Sequence, residues 1–573
     1  IISVFGIVII WQIMAPFLID NDNIYLKTIA SGEMTGTPEA HMFYMGIVSG
    51  SIISFLYRLT GNGIPWFGLF LCSSFASLMI ILLYKSLEPA KKIWQSIVVF
   101  LMYFVVFIGF FYQYFAKAQY TIATGFTGAA SIFLLCMLNE KEENKSYLLE
   151  TIPILIMTIW SLGTREKAFF MLIPFFGMVF VQKLLDAKEK DNIKRLVICA
   201  LLFGVSIIFT AGINRVAYSS SDWKEYKRYN SSRQEVFDFE GLIDYDSHSA
   251  IYSSLGIEKS SYEAINNHYN IIMDPSINGD NLMKLAALAK IERMSTEESA
   301  PKKLLNVLST IFKYNFLEYQ DRPINILVYL LYGFVFIAIL VSKKYKALRD
   351  VAFILVARMF DWIYLVWNGR FPFRVTQIIY IAELVLLIAI IIRYQLWEFE
   401  RKKKEDKIIN PVFITMLVFV LAAAIRFGIP VMNKNYESIK SFRQMSVCFE
   451  ELEDYMEDHS ENFYFFDMSH LYYMEELLSF KPAGYENYVY MGSWMPNSPW
   501  YNNKMKEWGI DSPAEALLEK DNVYIVYQEV DFDTRDFLDY YFDEHYPGTS
   551  IEVVDTFESS NGFKYEILKP KYN

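Results

Sequence analysis

The stretch Leu196-Val197-Ile198-Cys199-Ala200-Leu201-Leu202-Phe203-Gly204-Val205-Ser206-Ile207-Ile208-Phe209 carries no charge and no proline. A hydrocarbon core of about 30 Å takes roughly 20 apolar helical residues to cross, and the segment 195–217 around this stretch has that length. The pattern recurs. Apolar runs near 1–19, 66–84, 94–113, 120–138, 149–163, 167–182, 195–217, 323–341, 350–367, 375–393 and 409–427 give about eleven predicted spans. The fold class expected is therefore mainly α, a polytopic transmembrane helix bundle. Composition agrees: 573 residues that are 54% hydrophobic and 17% aromatic are too apolar for an ordinary soluble protein. The mean hydropathy of +0.22 averages an apolar body with a polar tail.

Lys and Arg sort the connections, because they favour the cytoplasmic side. One alternate set is basic: Lys85, Lys91 and Lys92; Lys183, Lys188, Lys190, Lys194 and Arg195; Lys343, Lys344, Lys346 and Arg349; and Arg401-Lys402-Lys403-Lys404. With these inside, the loop after span one, the long loop 218–322 and the tail after 428 are expected outside. The loop 139–146 is an acidic, weaker member of the inner set. Counting 42–59 as a span would invert every later loop, so it is read as a helix in the outer interface, with Tyr44, Tyr57 and Trp66 at headgroup depth.

Two domains follow, a transmembrane one over 1–427 (with outer loops 20–65 and 218–322) and an extracytoplasmic α/β domain over 428–573. In the tail, Asn462–Met468, Tyr488–Met491, Asn522–Tyr527 and Ile551–Phe557 read as strands. The helical patterns between them favour a parallel or mixed sheet. One helix has a clear start, with Ser512 as N-cap, Pro513 in the first turn and Glu515 three residues on. The long loop has helical patches such as Gly279–Arg293, and an insertion of that length shapes a site or a lid.

Several function classes drop out. A net charge of −11 argues against a nucleic-acid partner, since phosphate binding needs a basic surface. Cys72, Cys136, Cys199 and Cys448 are too widely spaced for a disulfide framework or a zinc site. No Gly-rich phosphate loop and no H-E-x-x-H is present. The chain begins at Ile1 rather than Met, as expected of a fragment, and no cleavable signal peptide is visible.

The unusual charges fall on one side of this topology. Asp20 and Asp22 follow span one, and Glu39 and His41 close the same polar stretch. Lys117 lies in the turn 115–120, Arg165 and Glu166 between two apolar segments, Arg233 and Asp238 early in the long loop, and Arg370 and Arg374 around Pro372. Carboxylates beside a bilayer are costly to desolvate, which suggests a working site; an acid pair at a helix end also serves simply to keep a loop in water. Acids with arginines suit a reaction between a lipid-linked anion and a neutral hydroxyl. A carboxylate takes the proton, and guanidinium forks hold the phosphate.

An acid pair after span one, the element Glu39-Ala40-His41, many spans and a C-terminal outer domain resemble the GT-C superfamily of polyprenyl-phosphate-sugar-dependent glycosyltransferases. Ser31-Gly32-Glu33-Met34-Thr35-Gly36-Thr37-Pro38-Glu39, Arg165-Glu166 and Gly369-Arg370-Phe371-Pro372-Phe373-Arg374-Val375 look like a branch of bacterial multipass proteins similar to the O-antigen glucosyltransferases. The resemblance implies an inverting hexosyltransferase at the outer face of a bacterial plasma membrane, with a polyprenyl-phosphate-linked sugar as donor. The acceptor would be a cell-surface glycan or a teichoic-acid-like polymer. The first-loop acid, Asp20 or Asp22, would act as base; in relatives the acids are often adjacent, whereas Asn21 separates them here. Arg165, Arg370, Arg374 and Lys117 would hold the donor phosphate. Glu39, His41, Glu166, Arg233 and Asp238 would line the substrate. No cofactor is named by the residues, and a divalent metal is left open. The alternatives are a transporter or flippase of lipid-linked glycans, for which the mid-span charges Arg358, Asp361 and Glu383 are few, and a membrane-anchored glycan-binding protein.

Overall fold

The computed structural model describes residues 16–18, 21–139, 144–266, 273–295, 300–318, 320–400, 407–409, 411–466, 475–480, 484–528 and 535–573. Among these residues nine helices are long and apolar enough to cross a membrane. Each covers an expected span: Trp66–Leu87, Ile93–Ala116, Tyr120–Met137, Ser146–Thr164, Glu166–Asp186, Lys190–Ala217, Ile324–Ser342, Phe373–Arg393 and the first part of Pro411–Asp458. The expected segment 350–367 is also a helix, Lys346–Trp367, and its charged residues Asp350, Arg358 and Asp361 are buried inside the bundle. Of the expected opening helix, residues 1–15 lie outside the described residues, and Phe17–Leu18 form a short strand instead.

Packing follows side-chain size. The Tyr120–Met137 and Phe373–Arg393 helices form the centre. Gly125 and Gly128 allow the close approach: an added Cβ would lie 2.8 Å from Ile378 and 2.1 Å from Leu172. Small residues at a helix interface serve this purpose within a membrane, where burial of apolar surface gives no drive. Peripheral helices turn Leu101, Val205, Phe209, Phe336 and Val418 outward, each half or more exposed. Such a band belongs in hydrocarbon, and the chain is a multi-pass membrane protein.

Contacts sort the connections onto two faces. On one, Asp186 meets Lys346 at 2.7 Å, Arg349 at 2.9 Å and Arg393 at 2.8 Å, while Lys183 Nζ donates to the Leu138 carbonyl at 2.7 Å. These contacts join two of the loops read as basic, 183–195 and 343–349; Arg401-Lys402-Lys403-Lys404 lies outside the described residues, between β3 (Glu398–Glu400) and β4 (Lys407–Ile409). On the opposite face β1 (Phe17–Leu18) pairs in parallel with β2 (Lys117–Ala118) and antiparallel with β6 (Glu475–Glu476). The long loop joins the same face: Tyr541 in the tail donates to the Met273 carbonyl at 2.7 Å.

The tail sheet has the order β7-β5-β8-β10-β9, built from β5 (Phe463–Phe466), β7 (Tyr488–Tyr490), β8 (Val523–Gln528), β9 (Thr549–Glu558) and β10 (Lys564–Tyr572). β7, β5 and β8 run parallel, and β10 lies antiparallel between β8 and β9. Ser512 caps its helix, accepting from Glu515 N at 3.5 Å. Residues 467 and 468 of one expected strand lie outside the described residues. No helix ends at the expected boundary of 428. Pro411–Ala423 continues through a π-helical turn, Ala424–Gly428, into Ile429–Asp458. The far end of that rod buries Phe449, Leu452 and Met456, with Phe449 6.0 Å from Phe466 in β5.

The segment 42–59 holds one helix, Ile47–Thr60, whose 14 residues reach only about 21 Å and do not cross. The placing of Tyr57 at headgroup depth is corrected. Tyr57 is 2% exposed, and its hydroxyl accepts from Phe67 N at 3.2 Å. The side chain points inward because the helix buries the face that carries Ile53, Ser54 and Tyr57. Tyr44 likewise belongs to an internal cluster.

Candidate functional site

Asp22 lies in the first turn of the Asn21–Ser31 helix, where a carboxylate is favoured by the helix dipole. The next residue anchors that turn to the bundle: Asn23 is buried, accepts from Tyr120 N at 3.1 Å and donates to the Ala118 carbonyl at 3.3 Å. Tyr120 is thereby fixed beside the acid, and its hydroxyl lies 3.4 Å from Asp22 Oδ2. The indole Nε1 of Trp494, from the tail, donates to Asp22 Oδ1 at 3.0 Å.

Arg165 reaches the same tyrosine. It is the extended residue between the Asn144–Thr164 and Glu166–Phe170 helices, and its guanidinium carbon lies 4.7 Å above the Tyr120 ring. The guanidinium also donates to Thr121 Oγ1. An acid and a cation thus share one aromatic side chain, the acid at its hydroxyl and the cation on its face. Glu166 accepts from Asn214 Nδ2 at 3.5 Å.

Further cations gather nearby. Arg370 forms an ion pair with Asp238 at 2.8 Å and lies 5.2 Å above Phe239. Lys167 lies within electrostatic reach of Arg165, Glu166, Asp238 and Arg370, which ties these residues into one charged neighbourhood. Arg233 joins through tyrosine. Its guanidinium, Asn230 and Gln234 all donate to the Tyr44 hydroxyl, at 3.4, 3.1 and 2.7 Å, and the Tyr44 ring meets Trp494 edge to face at 4.8 Å. Arg374 is half-buried one turn beyond Arg370, at the start of the Phe373–Arg393 helix.

Two expected groups lie elsewhere. Lys117 is aimed at the Ile429–Asp458 helix, 5.3 Å above the Phe442 ring, and burial together with Lys434 pulls its pKa down. Strand pairing with β1 turns it that way, so it does not join Arg165. Glu39 and His41 pair with each other at 2.7 Å. The His41 bond, with the Ala40 and His41 amides, holds the Glu39 carboxyl down at about 2. The His41 ring stacks on Trp223 at 5.6 Å, and its carbonyl accepts from Trp500 Nε1 at 3.0 Å. Because Trp223, Tyr218 and Trp500 are themselves buried, this aromatic cluster is packing that clasps loop, long loop and tail together. Asp20 lies outside the described residues. Among those residues no three His, Cys, Asp or Glu side chains converge as a metal would need.

A second ionic cluster escaped the sequence reading. Lys27 meets Glu33 and Glu475, each at 2.7 Å, and Lys504 lies 3.7 Å from Glu486 at the contact between the first loop and the tail. Burial raises the pKa of Glu486 to about 7 and that of Glu475 above the ordinary glutamate value. Two of the mid-span charges are paired: Arg358 donates to Glu383, which further accepts from Tyr332 at 2.8 Å, while Asp361 is buried with its Oδ2 unpartnered among the described residues. The Arg358–Glu383 pair ties two helices together.

No protein-family profile matches the chain, and no curated protein sequence matches it. Among solved structures, the crystal structure of ArnT from Cupriavidus metallidurans bound to undecaprenyl phosphate aligns over 99% of this chain and 97% of that one, at 9% identity and a TM-score of 0.40. Likeness at that level assigns no family.

Proposed function

We propose that the chain is a GT-C-type inverting glycosyltransferase acting at the outer face of a bacterial plasma membrane. It would transfer a sugar from a polyprenyl-phosphate donor to a hydroxyl of a cell-surface glycan or teichoic-acid-like polymer. One observation carries the reading: Asp22 and Arg165 meet on Tyr120 at the membrane face, with Lys167 and Arg370 close by. The acceptor hydroxyl attacks C1 of the donor sugar and gives its proton to Asp22, worth roughly 10²–10⁴ in rate. The C1–O bond to phosphate breaks, and Arg165 and Arg370 meet the charge that develops on the departing lipid phosphate. Glu166, Arg233 and Asp238 belong to the same neighbourhood and border the substrate.

The basic loops gathered around Asp186 support placing the opposite face outside, by the excess of Lys and Arg on cytoplasmic loops. In this reading the membrane domain covers 1–427 and the outer domain 428–573, joined by one unbroken helical rod. The test is transfer itself. Protein reconstituted in nanodiscs with a polyprenyl-phosphate-linked radiolabelled hexose and isolated wall polymer should move label to polymer and release polyprenyl phosphate. Unaltered donor across a panel of hexoses and acceptors, from protein verified as folded, rejects the reading.

A further inference from the structure

The acid at the centre of the site receives a 3.0 Å hydrogen bond from a residue at the far end of the chain. Trp494 sits in the loop that leaves β7, and that loop is unusually constrained. Ser493 and Asn497 both adopt left-handed backbone, φ 69° and 64°, without being glycine. Non-glycine residues persist in that region only where their surroundings over-determine them, and they cluster at functional sites. Here the surroundings are visible. Met491 N donates to the Phe466 carbonyl at 3.0 Å, Tyr226 donates to the Trp494 carbonyl at 2.6 Å, and the Ser493 side chain bonds Tyr25. The indole is 3% exposed and stands edge-on to Tyr25 at 5.7 Å and to Tyr44 at 4.8 Å.

An indole N–H can only donate. At 3.0 Å from Oδ1 it stabilises the ionised carboxylate and fixes the plane of the carboxyl group. Resting on the proposed function, we propose that Trp494 is a positioning residue of the transferase, by which the C-terminal domain completes the active site and sets the protonation and aim of Asp22. The tail is thereby part of the catalytic unit rather than a separate binding module. Its removal takes away one hydrogen-bond donor to the Asp22 carboxylate.

The experiment compares Trp494→Phe, which keeps the ring and loses the N–H, with wild type in nanodiscs. The probe is the polyprenyl-phosphate-linked radiolabelled hexose that supports transfer. Turnover at saturating donor should fall about 10- to 100-fold with donor KM little changed, and the acid limb of the pH–rate profile should move up by about one unit. A fall in turnover without that movement reduces Trp494 to packing and overturns the proposal, as does a wild-type rate and profile. Should Trp494→Phe fail to fold, Tyr226→Phe loosens the same loop from its carbonyl and must move the acid limb in the same direction; a wild-type profile there overturns the proposal equally. Asp22→Asn separates the two ideas. If that variant is inactive while Trp494→Phe behaves as wild type, the present inference fails alone; if Asp22→Asn retains turnover, the base itself is lost.

Discussion

Gly68→Ala tests whether the tail is seated on the bundle as described, without touching any group in the chemistry. Gly68 lies in the first turn of the Trp66–Leu87 helix, and a Cβ there would sit 1.9 Å from the Leu477 carbonyl oxygen and 3.0 Å from Leu478 Cδ2. The obstructing atom is backbone, so it cannot swing aside and must retreat by roughly 1 Å or more to reach contact distance. Leu477 N donates to the Pro16 carbonyl at 2.7 Å, and Glu475 just before it pairs with Lys27, so the shift strains the seam of β1 and β6. Overpacking of this kind costs about 1–3 kcal/mol, against a gain of up to about 1 kcal/mol from replacing helical glycine by alanine. The clash should win. Gly204→Ala and Gly333→Ala are the controls, since an added Cβ there meets nothing within 4 Å. Thermal unfolding in detergent should show Gly68→Ala destabilised and both controls neutral or stabilised. Hydrogen exchange should quicken at Phe17–Leu18 and at 475–478. Equal stability and unchanged exchange in Gly68→Ala and the controls would refute the docking.

Arg165→Lys and Arg370→Lys keep the charge and lose the planar fork, so turnover at saturating donor should fall about tenfold or more in at least one of them; unchanged turnover and donor affinity in both alanine variants would leave these arginines as topology anchors. Glu383→Gln leaves the Arg358 charge buried with a neutral partner and should cost about 3–5 kcal/mol in thermal unfolding, and a loss below about 1 kcal/mol would contradict the pairing. At Glu486 the folded pKa, about 7, lies above the unfolded value, so the folded state holds more protons between pH 4.5 and 7, and stability falls as pH rises through that window. Lys504, pulled down to about 8, acts at higher pH, where its loss of a proton makes stability rise with pH. Glu486→Gln should therefore flatten the decline between pH 4.5 and 7 measured by thermal unfolding; an unaltered slope would assign it to Glu453 and Glu475, which burial also raises.

The spans were legible because apolar length is a local property, and alternation of Lys and Arg ordered the faces. Lys346–Trp367 forms as a helix but is not among the nine apolar enough to cross, since Asp350, Arg358 and Asp361 lie within it. Site partners obey no such local rule. Trp494 lies 472 positions from Asp22 and carries no motif, and Tyr44 looked like an interfacial tyrosine until the long loop was seen to surround its hydroxyl. Lys167 stood beside Arg165 and Glu166 and was within reach of the sequence. The direction of Lys117 was not legible, because strand pairing with β1 decides which way its side chain points. That one helical rod runs through residue 428 was not legible, because a hydropathy change marks where the apolar surface ends rather than where the helix does.

Asp22→Asn examines the central claim most directly, because the amide preserves size and can still meet Trp494 and Tyr120 but cannot accept the acceptor's proton. Transfer from a polyprenyl-phosphate-linked hexose should fall at least about 10²-fold at saturating donor, with unfolding temperature and donor affinity close to wild type. Wild-type turnover in that variant would contradict the account.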